Sequence, residues 1–149
     1  MLALTFQIGS DCVALDVRRV RRVIPRVKLA PAPSGARGIA GQFVYRGQVV
    51  PVVDFFRLAG AGECPAHLSS RIVLVQWPSD SDRLVGLLAT QVADIRDLPA
   101  PPSDADSPQG FGPPVADGQA MIRHLNVDRL LAAVELEPAV LTLPGGAGA

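Results

Sequence analysis

Apolar and polar positions change in short runs along the chain, and most runs carry the two-residue period of a strand. Residues 2–8 (Leu-Ala-Leu-Thr-Phe-Gln-Ile) alternate, Gly9-Ser10-Asp11 reads as a turn, and Cys12–Val17 returns, which together predict a hairpin. Val20, Val23 and Ile24 then fall three and four residues apart, which fits either one helical turn or a bent entrance to a strand, before Pro25 interrupts it. After a loop at Pro31–Gly35, the pattern gives a strand from Ile39, a turn at Arg46-Gly47 and a strand Gln48–Val53. Val49, Val50, Val52 and Val53 surround Pro51, so this strand is expected to be buried on both faces, with Pro51 at a bulge or where no ladder donor is needed.

Asp54 precedes Phe55–Ala59 and Gly60, the pattern of an N-cap, a short helix and a glycine stop, so its carboxylate is expected to be structural. Residues 60–70 read as a polar loop, Arg71–Trp77 and Leu84–Ala89 as strands joined by a turn at Pro78–Asp82, and Gln91–Leu98 as a continuation of the sheet. The six prolines 99, 101, 102, 108, 113 and 114 predict an exposed connector that lies outside any sheet. Val115–Ala116, an Asp117-Gly118 turn, a strand Gln119–Leu125 and a helix Val127–Val134 capped by Asn126 or Asp128 close the pattern. The Gly- and Ala-rich segment after Pro138 is expected to be disordered. About nine short strands and two short helices make the chain mainly β.

Composition narrows this further. A chain of 149 residues with 48% hydrophobic residues fits one compact domain or two small intertwined subdomains, and 14 Gly and 14 Pro suit short strands and turns rather than a helical bundle. Aromatic residues are only 5%, which leaves Val, Leu, Ile and Ala to build the core. No run approaches the roughly 20 apolar residues of a membrane-spanning helix, and no basic segment followed by an apolar one opens the chain. A cytoplasmic protein with no direct membrane insertion is expected, with Cys12 and Cys64 as free thiols.

Formal charge sums to zero, yet residues 1–57 hold nine basic and three acidic residues, a net +6, and the remainder carries −6. Such a chain can offer two faces to two partners, or its halves can attract one another within the fold. Arg18, Arg19, Arg21, Arg22, Arg26 and Lys28 form the densest basic cluster. It suits a solvated edge or a rim for an acidic protein surface better than nucleic acid, because neither stacking aromatics nor a recognition helix accompanies it.

Few residues can do chemistry. There is no phosphate-binding glycine loop, no Gly-x-Ser-x-Gly elbow and no His-Glu-x-x-His. Cys64-x-x-His67 has half the spacing of a zinc site, but only Cys12 and His124, both distant in sequence, remain to complete it. A small metal-dependent enzyme and a basic nucleic-acid binder therefore stand as alternatives to a non-catalytic interaction module.

The most specific segment is Gly38-Ile39-Ala40-Gly41-Gln42-Phe43-Val44-Tyr45-Arg46-Gly47-Gln48-Val49-Val50-Pro51-Val52-Val53-Asp54-Phe55. It resembles the signature of the CheW-like family, the bacterial chemotaxis coupling proteins: a Gly, an apolar strand, Arg-Gly, a Val/Ile run, Pro, two apolar residues and Asp-Leu in this order. Phe6, Ala14–Val17 and Val20–Ile24 are similar to the family's opening hairpin and the element after it. Ile72–Val75, Val85–Leu88 and Ile122–Leu131 follow its later strands and closing helix.

The resemblance implies a CheW-like domain over residues 2–134 and a partly disordered tail over 135–149. It implies two small intertwined five-stranded SH3-like barrels with a shared apolar core, no catalytic residue, no metal and no cofactor. The implied role is an adaptor at the membrane-associated receptor array. Its partners would be the cytoplasmic tip of a methyl-accepting chemoreceptor and the regulatory domain of a CheA-type histidine kinase. Arg46, Val20, Arg22 and Val92 become the expected partner-binding residues. Departures from the family pattern are Arg22 where a Glu is common, Val44 where an Asn is common, and Ala89-Thr90-Gln91 where Val-Asp and a polar or acidic residue are common. Charge is thereby reversed at an expected contact, which suits a different partner, for example in a system controlling surface motility or second-messenger output.

Overall fold

The computed structural model describes residues 1–8, 11–31, 38–54, 70–93, 95–100, 110–118 and 120–134. Ten strands are present: β1 (Leu2–Ile8), β2 (Asp11–Asp16), β3 (Val20–Pro25), β4 (Ile39–Tyr45), β5 (Gln48–Asp54), β6 (Arg71–Gln76), β7 (Leu84–Ala89), β8 (Ile95–Asp97), β9 (Phe111–Asp117) and β10 (Ala120–Leu125). A 3₁₀ turn at Val17–Arg19 and one helix, α1 (Val127–Ala133), complete the described elements. The ambiguous segment after residue 17 thus divides into a turn and a strand. Asp16 starts the turn by accepting the Arg18 backbone N–H at 2.9 Å.

Two five-stranded sheets form, ordered β8-β1-β2-β10-β9 and β3-β6-β7-β5-β4. The chain begins in the first sheet, crosses to the second after β2 and returns after β7, so the two units are intertwined as expected. Each sheet curls until its edge strands come within side-chain reach. Arg96 on β8 pairs with Asp117 on β9, and Arg22 on β3 donates to the Tyr45 hydroxyl on β4 at 3.1 Å. These contacts bridge the two edge strands of each sheet, so each sheet takes a barrel-like form.

The main core is shared. Leu4, Phe6, Val13 and Leu15 from the first sheet pack in one cluster with Val50, Val52, Val53, Ile72–Val75, Val85 and Leu87 from the second, and α1 adds Leu130 and Leu131. Alternation sends the other face of β1 and β2 into a small second cluster of Ala3, Ala14, Leu98 and Ile122. Removing so much Val, Leu and Ile surface from water stabilises the fold at roughly 25 cal/mol per Å² of apolar area. Gly86 on β7 is part of this fit, since a Cβ there would lie 2.8 Å from Ile72 Cγ2 and 3.1 Å from Val52 Cγ2.

β5 is buried from Val50 to Asp54, as its uninterrupted apolar pattern predicts. Pro51 faces Gln42, whose N–H and carbonyl both turn outward to Ala30 at 2.9 and 2.8 Å. The Gln42–Pro51 pair therefore needs no donor from proline, and the parallel ladder to β7 begins only at Val52.

Two expectations change, and one choice left open is decided. Pro113 and Pro114 do not belong to a connector; both lie in β9, where Pro114 faces Arg123. β9 is an edge strand and both prolines are exposed, so the missing donors interrupt no interior ladder. Gln91–Leu98 gives only the three-residue β8, because Gln91 takes a left-handed φ of 49° and breaks the extended run. Of the two candidate caps for α1, Asn126 is the one used: its side chain accepts the Arg129 N–H at 3.0 Å. The expected helix after Asp54, the Cys64–His67 segment and the tail lie outside the described residues.

Candidate partner-binding surface

Arg46 and Gly47 are the two central residues of the β4–β5 hairpin, with φ of 48° and 82°. Positive φ at both positions is the type I′ geometry whose twist matches the flanking strands. Glycine tolerates it freely and arginine does not, so the turn holds Arg46 in an unfavoured conformation. The side chain is exposed and its guanidinium carbon lies 5.3 Å from the centre of the Tyr45 ring.

Arg22 reaches the same tyrosine from the other side, through the bond from Nη1 to the hydroxyl, and this bond holds its pKa above the ordinary arginine value. The β3–β6 register slips between Val20 and Arg22, leaving Arg21 as the extra residue of a bulge. In a regular strand, neighbours point to opposite faces; the bulge lets Arg21 and Arg22 line one groove. That groove, about 410 Å³, lies between β3 and the β4–β5 hairpin. Arg21, Arg22, Tyr45 and Arg46 line it with Gln48, Gln76 and Asp82, above Leu74 and Leu84.

The structure thus brings Arg22 and Arg46 together but leaves the other two expected residues apart. Val20 opens β3 opposite Val75 and is half-buried against the shared core. Val92 follows the left-handed Gln91, beside β1, where Ala93 donates to Thr5, and is also half-buried against the core. Neither lines the groove. Arg21, Tyr45 and Asp82 join the groove without having been singled out individually. Adjacency to Arg46 pointed to Tyr45, whereas Arg21 depends on the bulge.

The basic cluster does not act as one surface. Arg18 pairs with Asp16 at 2.7 Å, and its bonds hold the Asp16 carboxyl below the usual range. Arg19 makes a bidentate pair with Asp128 at 2.9 and 3.1 Å and also donates to the Gln76 carbonyl. It therefore ties the crossover between the sheets to α1 and β6.

The residues considered for chemistry are placed differently. Cys12 is half-buried on β2, and burial pushes its thiol pKa up. His124 on β10 is buried, at 8% exposure, and burial lowers its imidazole pKa. Its Nδ1 has no hydrogen-bond partner among the described residues. Among those residues no three His, Cys, Asp or Glu side chains come together as a metal site. No described helix is long and apolar enough to cross a membrane.

The described residues thus form an intertwined pair of five-stranded, barrel-like sheets with an arginine-lined groove beside the second. Residues 2–135 match the CheW-like domain, and the chain belongs to that family. It is 24% identical to a protein named Chemotaxis protein CheW from Thermotoga maritima, covering 92% of this chain and 91% of the relative. A Chemotaxis protein CheW from Rhizobium meliloti is 28% identical, with 91% and 90% covered. Protein FrzA from Myxococcus xanthus is 32% identical, with 85% and 82% covered. The crystal structure of the scaffolding protein TtCheW from Thermoanaerobacter tengcongensis superposes with a TM-score of 0.71 at 19% identity, over 87% of this chain and 86% of that one. The fold and the family expected from residues 38–55 are therefore those of this protein.

Proposed function

We propose that this protein is a non-catalytic adaptor that couples the cytoplasmic tip of a chemoreceptor to the regulatory domain of a CheA-type histidine kinase at a membrane-associated array. The observation that carries the reading is the groove in which Arg22 and Arg46 meet across Tyr45, on a fold shared with a scaffolding protein. Arginine forks fixed at a barrel mouth suit recognition of a protein surface, since a scaffold needs rigid, directional contacts rather than a reacting atom. Val20 and Val92 flank the crossovers between the sheets, so they serve as apolar contacts that a partner reaches at the junction of the two barrels. The partner need not be that of the usual coupling protein, because Arg22 places positive charge where the family commonly has a carboxylate.

Co-purification of the full chain with the histidine kinase encoded beside its gene, and with the cytoplasmic tip of the accompanying receptor, tests this. Saturable binding to either is expected. Failure to bind any chemosensory kinase or receptor rejects it.

A further inference from the structure

One polar atom of the first sheet is left unsatisfied at the wall of a cavity. His124 on β10 stands opposite Ala14 in the parallel ladder to β2, on the side where Ala14 and Ile122 join the small cluster with Ala3 and Leu98. Its Nδ1 is the only buried side-chain nitrogen or oxygen without a hydrogen-bond partner among the described residues. On the other flank the β9–β10 register shifts between Arg123 and Leu125, where a step of two residues on β10 is matched by three on β9, from Pro114 to Phe111. Gly112, inside that irregularity, brings no side chain to fill the gap. A cavity of about 260 Å³ opens there, with His124 and Gly112 in its wall. Ala14, Leu125 and Val127 give it an apolar side, and Asp16, Arg19 and Asp128 a polar one. A buried nitrogen that makes no hydrogen bond costs free energy, which a molecule bonding to it recovers.

The charges around this cavity are already matched. Asp16 is paired with Arg18 at 2.7 Å, Asp128 with Arg19 at 2.9 Å, and the Met1 α-ammonium with Asp97 at 2.9 Å. A cation entering the cavity meets Arg19 and the α-ammonium, and an anion meets Asp16 and Asp128, so an ion of either sign gains little. A hydroxyl meets neither obstacle. It both donates and accepts, so it satisfies Nδ1 in either tautomer of the neutral ring, and further hydroxyls suit carboxylate oxygens and guanidinium N–H groups alike. Burial lowers the imidazole pKa and so keeps the ring neutral. The volume lies just below the roughly 300 Å³ at which pockets for drug-sized ligands begin, and it holds the space of about eight waters. We infer that the cavity is a binding site for a small neutral polyol, a short polyalcohol or a pentose, with one hydroxyl bonded to His124 Nδ1 and its C–H groups against Leu125 and Val127. The site lies apart from the arginine groove and requires neither receptor nor kinase, so it does not rest on the adaptor reading. Its polar side includes the Arg19–Asp128 pair that ties the crossover between the sheets to α1.

The test uses the full ¹⁵N-labelled chain at pH 7.5 and follows the ring nitrogens of His124 in long-range ¹H–¹⁵N spectra, assigned with the His124→Leu variant. The probes are glycerol and ribose, with glycerate and 2-amino-1,3-propanediol as three-carbon counterparts carrying a negative and a positive charge. Glycerol or ribose is expected to shift the Nδ1 resonance saturably, with half-saturation on the order of millimolar, and to show nuclear Overhauser contacts from its C–H protons to the Leu125 and Val127 methyls. The charged counterparts should bind more weakly. His124→Leu should weaken the neutral probes about three- to tenfold, and His124→Asn, whose carboxamide keeps a hydrogen-bonding group on the same strand position, should weaken them less. No saturable shift with either neutral probe, which would mean a cavity that holds water only, overturns the inference. An equal or stronger response to a charged counterpart, or undiminished binding to a folded His124→Leu variant, overturns it as well. Should neither variant fold, the wild-type Overhauser contacts decide: present they support the site, and absent they reject it.

Discussion

Arg46→Asn should separate the stability of the hairpin from its use as a contact. The turn holds Arg46 at a φ of 48°, a region that costs a side-chain-bearing residue roughly 1–2 kcal/mol and that Asn tolerates better than most. Asn-Gly is also the favoured pair for a two-residue type I′ hairpin. Relief of part of that strain, up to about 1 kcal/mol, therefore favours the variant. Against it stands the loss of the guanidinium over the Tyr45 ring at 5.3 Å, about 0.5–1 kcal/mol at an exposed site. The two terms nearly cancel, so urea unfolding should give a stability within about 1 kcal/mol of wild type, on the gaining side if the turn dominates. Binding should behave otherwise: truncating a charge-assisted contact removes roughly 1.5–3 kcal/mol, about ten- to a hundredfold in Kd for the receptor tip or kinase domain by calorimetry. Wild-type affinity in the variant would show that Arg46 is only a turn residue. A stability loss well above 1 kcal/mol, with binding falling in proportion, would show that the hairpin needs the arginine to fold.

Three further substitutions probe the parts that hold this surface in place. Val52→Asp puts a carboxylate at a fully buried position of β5 between the two sheets and should cost several kcal/mol, and a soluble variant with unchanged Tm would refute the placement of that strand. Gly86→Ala forces a methyl to within 2.8 Å of Ile72 and should lower stability by about 1–3 kcal/mol in denaturant titrations; a neutral result would mean that β7 shifts freely. His124 is buried with its pKa lowered, so the unfolded chain takes up the proton first. Its stability contribution is complete above the unfolded value of about 6.5 and declines as pH falls through 6.5 toward the lower folded value. His124→Leu removes that slope and the unpartnered Nδ1, so unfolding between about pH 5 and 7 should be less pH-dependent than in wild type and the protein about 1 kcal/mol more stable; an identical pH profile would refute the assignment.

Local pattern alone determined much of this protein. Alternation located β1, short β-prone apolar runs located β5, β6 and β7, Arg46-Gly47 and Asp117-Gly118 marked hairpin turns, and Asn126 stood at the start of the closing helix, because each of these signals is contained within a few neighbouring residues. The order of residues 38–55 also pointed to the family that the whole chain matches. Only the tertiary structure decided how edges are used. Pro113 and Pro114 join a sheet because β9 lies at its edge, a position that depends on which strands pair and that no count of prolines contains. Arg18 and Arg19 look like members of one basic surface until folding brings Asp128 beside Arg19 across a separation of 109 residues. Arg22 and Arg46 meet because the second sheet curls until β3 approaches β4, and Arg21 joins them because a bulge breaks the two-residue period that would have turned it away. Strand period is a property of neighbours, whereas closure and bulging arise from packing two twisted sheets around one core, so the elements were readable from the chain and the groove was not.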